Sequence, residues 1–164
     1  MRDIIFKGKR KDNSEWVEGY LFDDGMVDSK RMFIGSLVIT EHKGLGEDVW
    51  DIGHAFYEVL PETVGQYTGL TDKNGKKIFE GDIVRTQPYS DRPYSKKQKF
   101  KSHIGIVRYE VRHFKNSLYE QDYEAKWNVY IKDYDGYFCY DWSPFFKCEV
   151  IGNIHDNPEL LEVK

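Results

Sequence analysis

Histidine, cysteine and pairs of carboxylates are the side chains with which this chain of 164 residues could carry out acid–base, nucleophilic or metal chemistry. The five histidines are scattered, and none stands four residues from another histidine or from a cysteine. Cys139 and Cys148 have no second cysteine pair. A choice of two among the 28 acidic residues as general acid and base would be arbitrary. We therefore predict no catalytic residue, no metal ligand and no cofactor site. Whether the chain is an enzyme stays open, and a non-enzymatic role is favoured.

The segment from residue 87 to residue 103 could recognise nucleic acid. It has two prolines, no aliphatic residue and five basic side chains against one acid. Basic side chains can neutralise phosphates, and aromatic rings can stack on bases. The alternative is an ordinary solvated loop whose lysines favour solubility. The candidate nucleic-acid contacts are Tyr89, Arg92, Tyr94, Lys96, Lys97, Lys99, Phe100 and Lys101.

The aromatic-rich stretch near the C-terminus is the candidate protein interface. A turn signal at Asp135–Gly136 predicts a hairpin with aromatic residues on both of its faces. Trp127, Val129 and Ile131 are predicted to share one face, and only one face of an antiparallel sheet must be core. The other face would then form a contact surface, most simply between copies of the chain. The candidate interface residues are Tyr130, Tyr134, Tyr137, Tyr140 and Trp142.

The elements that would position these residues are mostly strands. Turn and cap formers interrupt short β-rich runs throughout Pro61 to Arg85, as in a domain built of tight hairpins. The 12 Tyr, 10 Phe and 4 Trp suit half-buried sheet surfaces. We expect a mainly β fold of twisted antiparallel strands, in a single domain of residues 1–164. A subdivision into 1–65 and 66–164 is compatible with the pattern.

Strict alternation predicts a strand over Glu15 to Phe22. The residues expected on one of its faces are Trp16, Glu18, Tyr20 and Phe22.

Three other segments carry more specific structural expectations. Met32 to Thr40 reads as a strand that is broken or bulged at Gly35. Arg112 to Ala125 lacks clean alternation and fits a short helix or a loop. Near the C-terminus, Asn157 suits a helix N-cap and Pro158 the first helical position, so we expect a short helix over Pro158–Glu162.

The C-terminal half is expected to form a small SH3-like barrel. A Gly81–Asp82 turn leads into Ile83–Thr86, and the run His103–Val111 is its natural partner across the 87–103 excursion. A glycine permits the turn, an acid caps it, and β-branched residues fill a small barrel core.

Charge and hydropathy restrict the location and the partners. The net charge is −4, which disfavours a non-specific DNA coater. The N-terminal segment has charges throughout, and no apolar run approaches membrane-spanning length. Because nothing in the sequence indicates an oxidising compartment, we expect the two cysteines to be thiols in the core and not a disulfide. We expect a cytoplasmic location and no membrane partner.

Three separated blocks of the chain resemble the YopX family, small proteins encoded by phages and prophages of Gram-positive bacteria. The middle block is long and specific, and together the three extend from one end of the chain to the other. The matching segments are Arg2–Lys9 with Glu15–Tyr20, then Val59–Val84, then Cys148–Leu161.

The resemblance implies an accessory protein of a mobile element that acts in the bacterial cytoplasm, without assigned activity and without catalytic residues to transfer. The leading hypothesis is a non-enzymatic, self-associating module that binds an unidentified host or phage protein. The first alternative is a nucleic-acid-binding accessory protein that uses the 87–103 excursion. The second is a small hydrolase or nuclease whose acids converge only in the fold.

Overall fold

A computed structural model describes residues 3–26, 31–43, 48–90, 100–114, 122–131 and 148–162. Their regular structure consists of strands and two short 3₁₀ helices, so the expectation of a mainly β fold is confirmed. No helix in the described part of the chain is long and apolar enough to cross a membrane. The strands are β1 Phe6–Lys9, β2 Trp16–Asp23, β3 Met32–Lys43, β4 Asp48–Val59, β5 Gly65–Thr71, β6 Lys77–Phe79, β7 Asp82–Arg85, β8 Tyr89–Ser90, β9 Phe100–Lys101, β10 Ile104–Phe114, β11 Asp122–Tyr130 and β12 Glu149–Asn153, and the 3₁₀ helices are Pro61–Thr63 and Pro158–Leu161.

The chain forms two compact units, Met1–Tyr67 and Thr68–Lys164, called the first and second units below. In the first unit, strands β4, β3, β2 and β1 are neighbours in that order, and the beginning of β5 pairs with β1. All the pairings are antiparallel. Short hairpin connections favour this arrangement, because strands that follow one another closely in sequence can only pair antiparallel.

The first-unit sheet curls until β1 and β4 meet. The backbone N–H of Leu60 donates to the carbonyl of Lys9, and that of Lys11 donates to the carbonyl of Glu58, both at 2.9 Å. Inside the curl lie Ile34 and Val59, both fully buried. These contacts belong to one isolated bridge, between Arg10, which follows β1, and Val59, the last residue of β4. They join β1 to β4 without a continuous ladder.

The second unit contains a four-stranded antiparallel sheet in the order β11-β10-β7-β12. Ile83 of β7 lies opposite Ile106 of β10, so the predicted pairing of these two segments is confirmed. A buried cluster packs on this sheet, and the partly buried Trp127 and Ile131 pack against it beside Val129, as the alternation predicted. The members of the buried cluster are Ile78, Val84, Val107, Val129 and Cys148.

No closed barrel is found among the described strands, so the small barrel expected in the C-terminal half is not seen. Strand β7 pairs with only the first residues of β10, Ile104 to Ile106. Beyond that point β10 continues to Phe114 in register with β11. The extra length makes a two-stranded ribbon instead of bending round to close a barrel.

Three local expectations need correction. Strand β3 passes through Gly35 without a bulge, since Gly35 stands in register between Tyr20 and Phe56. The described parts of 112–125 belong to β10 and β11 and not to a helix or loop. The predicted C-terminal helix is present as the 3₁₀ turn Pro158–Leu161, but Asn157 makes no side-chain cap hydrogen bond.

Candidate interaction surfaces

One face of the first-unit sheet presents a row of aromatic rings. The predicted alternation in β2 is confirmed, because Tyr20 and Phe22 stand on the same side as Phe33 and Phe56 in the register of β2, β3 and β4. Tyr20 is 56% exposed, Phe22 47% and Phe56 37%, which is unusual for such large apolar groups. We call this surface the aromatic face; it comprises Trp16, Tyr20, Phe22, Phe33 and Phe56.

Gly35 lies at the centre of the aromatic face and determines how the rings pack. A Cβ atom at position 35 would lie 2.5 Å from Cδ1 of Phe56, which shows that the Phe56 ring covers the glycine backbone. Phe22 then meets Phe56 edge to face, with 5.0 Å between ring centroids and an interplanar angle of 79°. Such an arrangement is the favourable one for two aromatic rings.

Cations stack on the rings at the margin of the aromatic face. The ammonium groups of Lys7 and Lys9 lie 4.8 and 5.5 Å from the centroid of the Trp16 ring. The guanidinium of Arg31 lies 5.1 Å from the centroid of the Phe33 ring. Cations at these distances are attracted by the electron-rich face of an aromatic ring. The aromatic face therefore combines apolar rings with charged groups of both signs at its margin, since Glu18 stands opposite Lys7 and Glu58 stands opposite Phe33.

Glu58 organises two of the neighbouring cations. Its carboxylate accepts a hydrogen bond from Arg31 at 2.8 Å and one from Lys11 at 2.7 Å. The hydrogen bond from Arg31 is the largest cause of a lowered pKa, the one from Lys11 is the next, and together they bring the pKa of Glu58 to about 2. Glu58 is thus charged at every physiological pH and holds Arg31 in place beside Phe33.

Exposed aromatic rings also lie on both faces of the β10–β11 ribbon of the second unit, with Tyr109 on one face and Tyr130 on the other. Tyr109 stands opposite Trp127, and their ring centroids are 5.1 Å apart. Tyr109 and Val111 are about half exposed, and the guanidinium of Arg108 lies 4.9 Å from the centroid of the exposed Tyr130 ring. Of the predicted interface residues only Tyr130 is described. Tyr134, Tyr137, Tyr140 and Trp142 lie outside the described residues.

The two described ends of the 87–103 excursion contain the short strands β8 and β9, which pair with each other. Tyr89 pairs with Lys101 and Ser90 with Phe100 in the two-stranded β8–β9 sheet. Phe100 is 65% exposed, and Lys101 is exposed beside it. The structure therefore places two of the predicted nucleic-acid contacts, Phe100 and Lys101, on the surface. The contacts outside the described residues are Arg92, Tyr94, Lys96, Lys97 and Lys99.

Two buried carboxylates in the second unit serve as turn anchors, and the first is Asp72. Its Oδ1 accepts the backbone N–H groups of Asn74 and Lys76 at 2.8 and 2.9 Å. Its Oδ2 accepts the backbone N–H of Val150 at 3.0 Å, which ties the turn to β12. Burial pushes the pKa of Asp72 up, but the N–H donors of Val150, Lys76 and Asn74 outweigh burial, so the pKa lies below its ordinary value.

Cys148 lies against the Asp72 anchor as a buried free thiol. The pKa of Cys148 is raised to about 11, mainly by burial and to a smaller extent by the Asp72 carboxylate. The thiol is therefore protonated at neutral pH and is a poor nucleophile. Cys139 lies outside the described residues.

The second anchor is Asp82, of which only 1% is exposed. Its Oδ2 accepts the backbone N–H of Phe79 at 2.8 Å, and its Oδ1 accepts Nδ2 of Asn153 at 3.1 Å. Gly81, which lies between Phe79 and Asp82 in the chain, adopts φ of 80°, a conformation that residues with a Cβ atom rarely adopt. Asn153 in turn accepts the backbone N–H of His155 at 3.0 Å, so this histidine follows a hydrogen-bonded turn.

Among the residues that the structure describes, no group of three or more histidine, cysteine, aspartate or glutamate residues could hold a metal ion. The clustered features are instead the aromatic surfaces and the two anchored turns. Sequence reasoning placed Tyr20 and Phe22 on one face but did not identify that face as a surface. Only the pairing of β2 with β3, and of β3 with β4, brings Phe33 and Phe56 beside them.

A family model for the YopX protein matches residues 6–162. The chain belongs to the YopX family. Both anchors fall within the blocks by which the sequence resembles that family: Asp72 and Asp82 lie in the middle block, and Asn153 lies in the last one. At these positions the blocks that carry the resemblance supply hydrogen bonds that hold turns of the second unit.

One solved structure with a similar fold is the crystal structure of protein EF1440 from Enterococcus faecalis. The similarity covers 98% of this chain and 99% of that chain, with a TM-score of 0.51 and 24% sequence identity. At this identity the likeness concerns the fold alone. A comparison with curated proteins gives no match.

Proposed function

We propose that this YopX-family chain is a non-enzymatic protein-interaction module of a phage or prophage, which associates with itself and binds a host or phage protein in the bacterial cytoplasm. The observation that carries the proposal is the aromatic face. Large exposed aromatic groups are enriched where proteins bind one another. Isolated exposed apolar residues need no explanation, but Tyr20, Phe22 and Phe56 are grouped on one sheet face.

Rigidity of the aromatic face supports the proposal. Phe56 packs on Gly35, Phe22 packs on Phe56, and Arg31 is held by Glu58 beside Phe33. A surface whose side chains are already ordered loses less conformational entropy on binding.

The state of the buried carboxylates supports a non-enzymatic role. Asp72 and Asp82 accept backbone N–H groups of their own turns, and Asp82 also accepts the Asn153 amide. A general acid or base must instead reach a substrate proton. The two buried acids in the described part of the second unit therefore have a sufficient structural explanation.

Isotopically mixed cross-linking tests self-association at the aromatic face. Unlabelled and ¹⁵N-labelled protein are mixed, treated with a lysine-specific reagent and analysed by mass spectrometry. We expect mixed-label cross-links among Lys7, Lys9 and Lys11, which surround the aromatic face. The Tyr20→Ser/Phe22→Ser variant should lose them, and Ile4→Ser, which changes an exposed apolar residue outside the aromatic face, should keep them. Mixed-label cross-links that are absent in the wild type, or unchanged in the double variant, would contradict the proposal.

The second candidate function is nucleic-acid binding through the 87–103 excursion. The observation that favours it is the β8–β9 hairpin, which presents exposed Phe100 next to exposed Lys101. Phosphate contacts by lysines would make the affinity fall steeply with salt. Fluorescence anisotropy of labelled oligonucleotides across a salt series tests this candidate, with the Lys96/Lys97/Lys99/Lys101→Ala variant as comparison. Salt-sensitive binding that the variant loses would support it, and no binding at low salt would remove it.

A further inference from the structure

The turn between β5 and β6 contains Asn74–Gly75, the one place in the sequence where glycine follows asparagine. Both residues are exposed. Glycine has no Cβ to shield its backbone nitrogen, so this nitrogen can approach the side-chain amide carbon of the preceding asparagine. The Asn74–Gly75 dipeptide is therefore chemically reactive, and this reactivity has no part in the roles of the aromatic surfaces and the turn anchors described above.

We propose that Asn74 is a site of spontaneous deamidation and that the reaction releases the Asp72 anchor from β12. In the first step the Gly75 nitrogen forms a bond to Cγ of Asn74, the bond from Cγ to the side-chain nitrogen breaks, and ammonia leaves. Solvent removes the proton from the Gly75 nitrogen and supplies one to the leaving amine. In the second step one water molecule opens the resulting succinimide at either carbonyl, which gives aspartate or isoaspartate. The net reaction consumes one water and releases one ammonia, without oxidation or reduction.

The folded turn holds this reaction back. The backbone N–H of Gly75 donates to the carbonyl of Asp72 at 3.0 Å, and the N–H of Asn74 donates to Oδ1 of Asp72 at 2.8 Å. The attacking nitrogen must give up its hydrogen bond, and the chain must rotate at Asn74, before the ring can close. Deamidation therefore proceeds from an opened turn, and its rate follows the population of that opened state.

The isoaspartate product cannot restore the anchor. It carries the former side-chain methylene in the main chain, which lengthens the backbone between residues 74 and 75. Oδ1 of Asp72 accepts one N–H on each side of that insertion, from Asn74 at 2.8 Å and from Lys76 at 2.9 Å. The lengthened backbone cannot present both groups to one oxygen. The same turn contacts β12, where Val150 donates to Asp72 at 3.0 Å and the carbonyl of Cys148 accepts Lys73 N–H at 2.9 Å.

Peptide mapping by mass spectrometry, after incubation of the full chain in native buffer and in concentrated urea, tests the site and its control by the fold. We expect the conversion of amide to acid to appear at Asn74 ahead of Asn13 and Asn128. It should be severalfold faster in urea than in native buffer. Conversion at Asn74 that does not precede the other asparagines in urea would overturn the site. Equal rates in the two conditions would overturn the protective role of the turn.

Hydrogen exchange on the aged protein tests the released anchor. The Asn74→Asp variant is the matched control, because it adds the negative charge without lengthening the backbone. We expect the isoaspartate form to lose protection at the amides of Lys73 and Val150, while Asn74→Asp retains it. Unchanged protection of both amides in the isoaspartate form would overturn the proposed release. An equal loss of amide protection in Asn74→Asp would assign the effect to the added charge, and this result would overturn the proposed release as well.

Discussion

Nδ2 of Asn153 donates a hydrogen bond of 3.1 Å to Oδ1 of Asp82, across 71 residues of sequence and in a buried environment. Because Asp82 also accepts the N–H of Phe79, the same carboxylate joins the β6–β7 turn to the end of β12. Two of the blocks that resemble the YopX family, Val59–Val84 and Cys148–Leu161, are thus in direct contact. Asp82 and Asn153, one from each block, therefore fasten the β6–β7 turn to β12.

Removal of the Asp82 carboxylate should strongly destabilise the second unit. In Asp82→Ala, the Phe79 N–H and the Asn153 amide both lose a buried acceptor, and each loss costs about 1–3 kcal/mol. We expect a total loss of about 3 kcal/mol in the free energy of unfolding, measured by urea denaturation. Asn153→Ala should cost less, since the Phe79 hydrogen bond remains. A loss in Asp82→Ala no larger than that of an exposed substitution such as Glu159→Ala would contradict this account.

Asp72 should make the stability of the second unit depend on acid pH. Its pKa lies below the ordinary 3.8 in the folded state, so ionised Asp72 stabilises the fold at pH values above 3.8. That contribution is lost as the pH falls through the lowered pKa. Urea denaturation of the wild type and of Asp72→Asn from neutral pH down to the acid limit measures it. We expect the two curves to be far apart at neutral pH and to converge in acid; a constant separation would be inconsistent with the Asp72 contacts.

The carboxylate of Glu58 should titrate with a midpoint of about 2, because Arg31 and Lys11 donate hydrogen bonds to its ionised form. Its contribution to stability is therefore present above the ordinary 4.5 and disappears only as the pH approaches about 2. NMR titration of the Glu58 carboxyl carbon measures this midpoint. Arg31→Gln should move it up towards 4.5, and the distant Lys73→Gln should leave it unchanged. A midpoint near 4.5 in the wild type would show that the ion pairs do not form in solution.

Gly35 should not tolerate a side chain. A Cβ atom at this position would clash with the carbonyl of Ala55 and with the Phe56 ring that lies over the glycine. Gly35→Ala should therefore destabilise the first unit by about 1–3 kcal/mol, the range for overpacking, as measured by thermal or urea unfolding. Phe56→Leu at the neighbouring position should be milder, since it removes the ring without forcing the strands apart. Unchanged stability of Gly35→Ala would mean that β3 and β4 are not as close as the structure has them.

Local features of the fold were predictable from local patterns. Alternation in β2 correctly placed Tyr20 and Phe22 on one face, and the turn formers of Pro61 to Arg85 correctly predicted short strands joined by tight turns. The pairing of β7 with β10 followed from two similar β-branched runs on either side of a polar segment. In each case the residues that decide the structure are neighbours in sequence or flank one loop.

Features that depend on distant residues were not predictable. A glycine inside a strand suggested a bulge at position 35, but the Phe56 ring from another strand covers it and keeps the ladder regular. Alternation showed that Tyr20 shares a face with Phe22, but which face stays exposed depends on how the sheet curls around Ile34 and Val59. The Asp82–Asn153 contact required two blocks that are far apart in sequence to meet.

Sedimentation velocity over a wide range of protein concentration tests the central claim most directly. The samples are the wild type, the Tyr20→Ser/Phe22→Ser variant and the Ile4→Ser control, compared at one salt concentration. The account predicts that the weight-average sedimentation coefficient of the wild type and the control rises with concentration, whereas the double variant stays monomeric. A wild type that is monomeric throughout, or a double variant that associates as strongly as the wild type, would contradict self-association through the aromatic face.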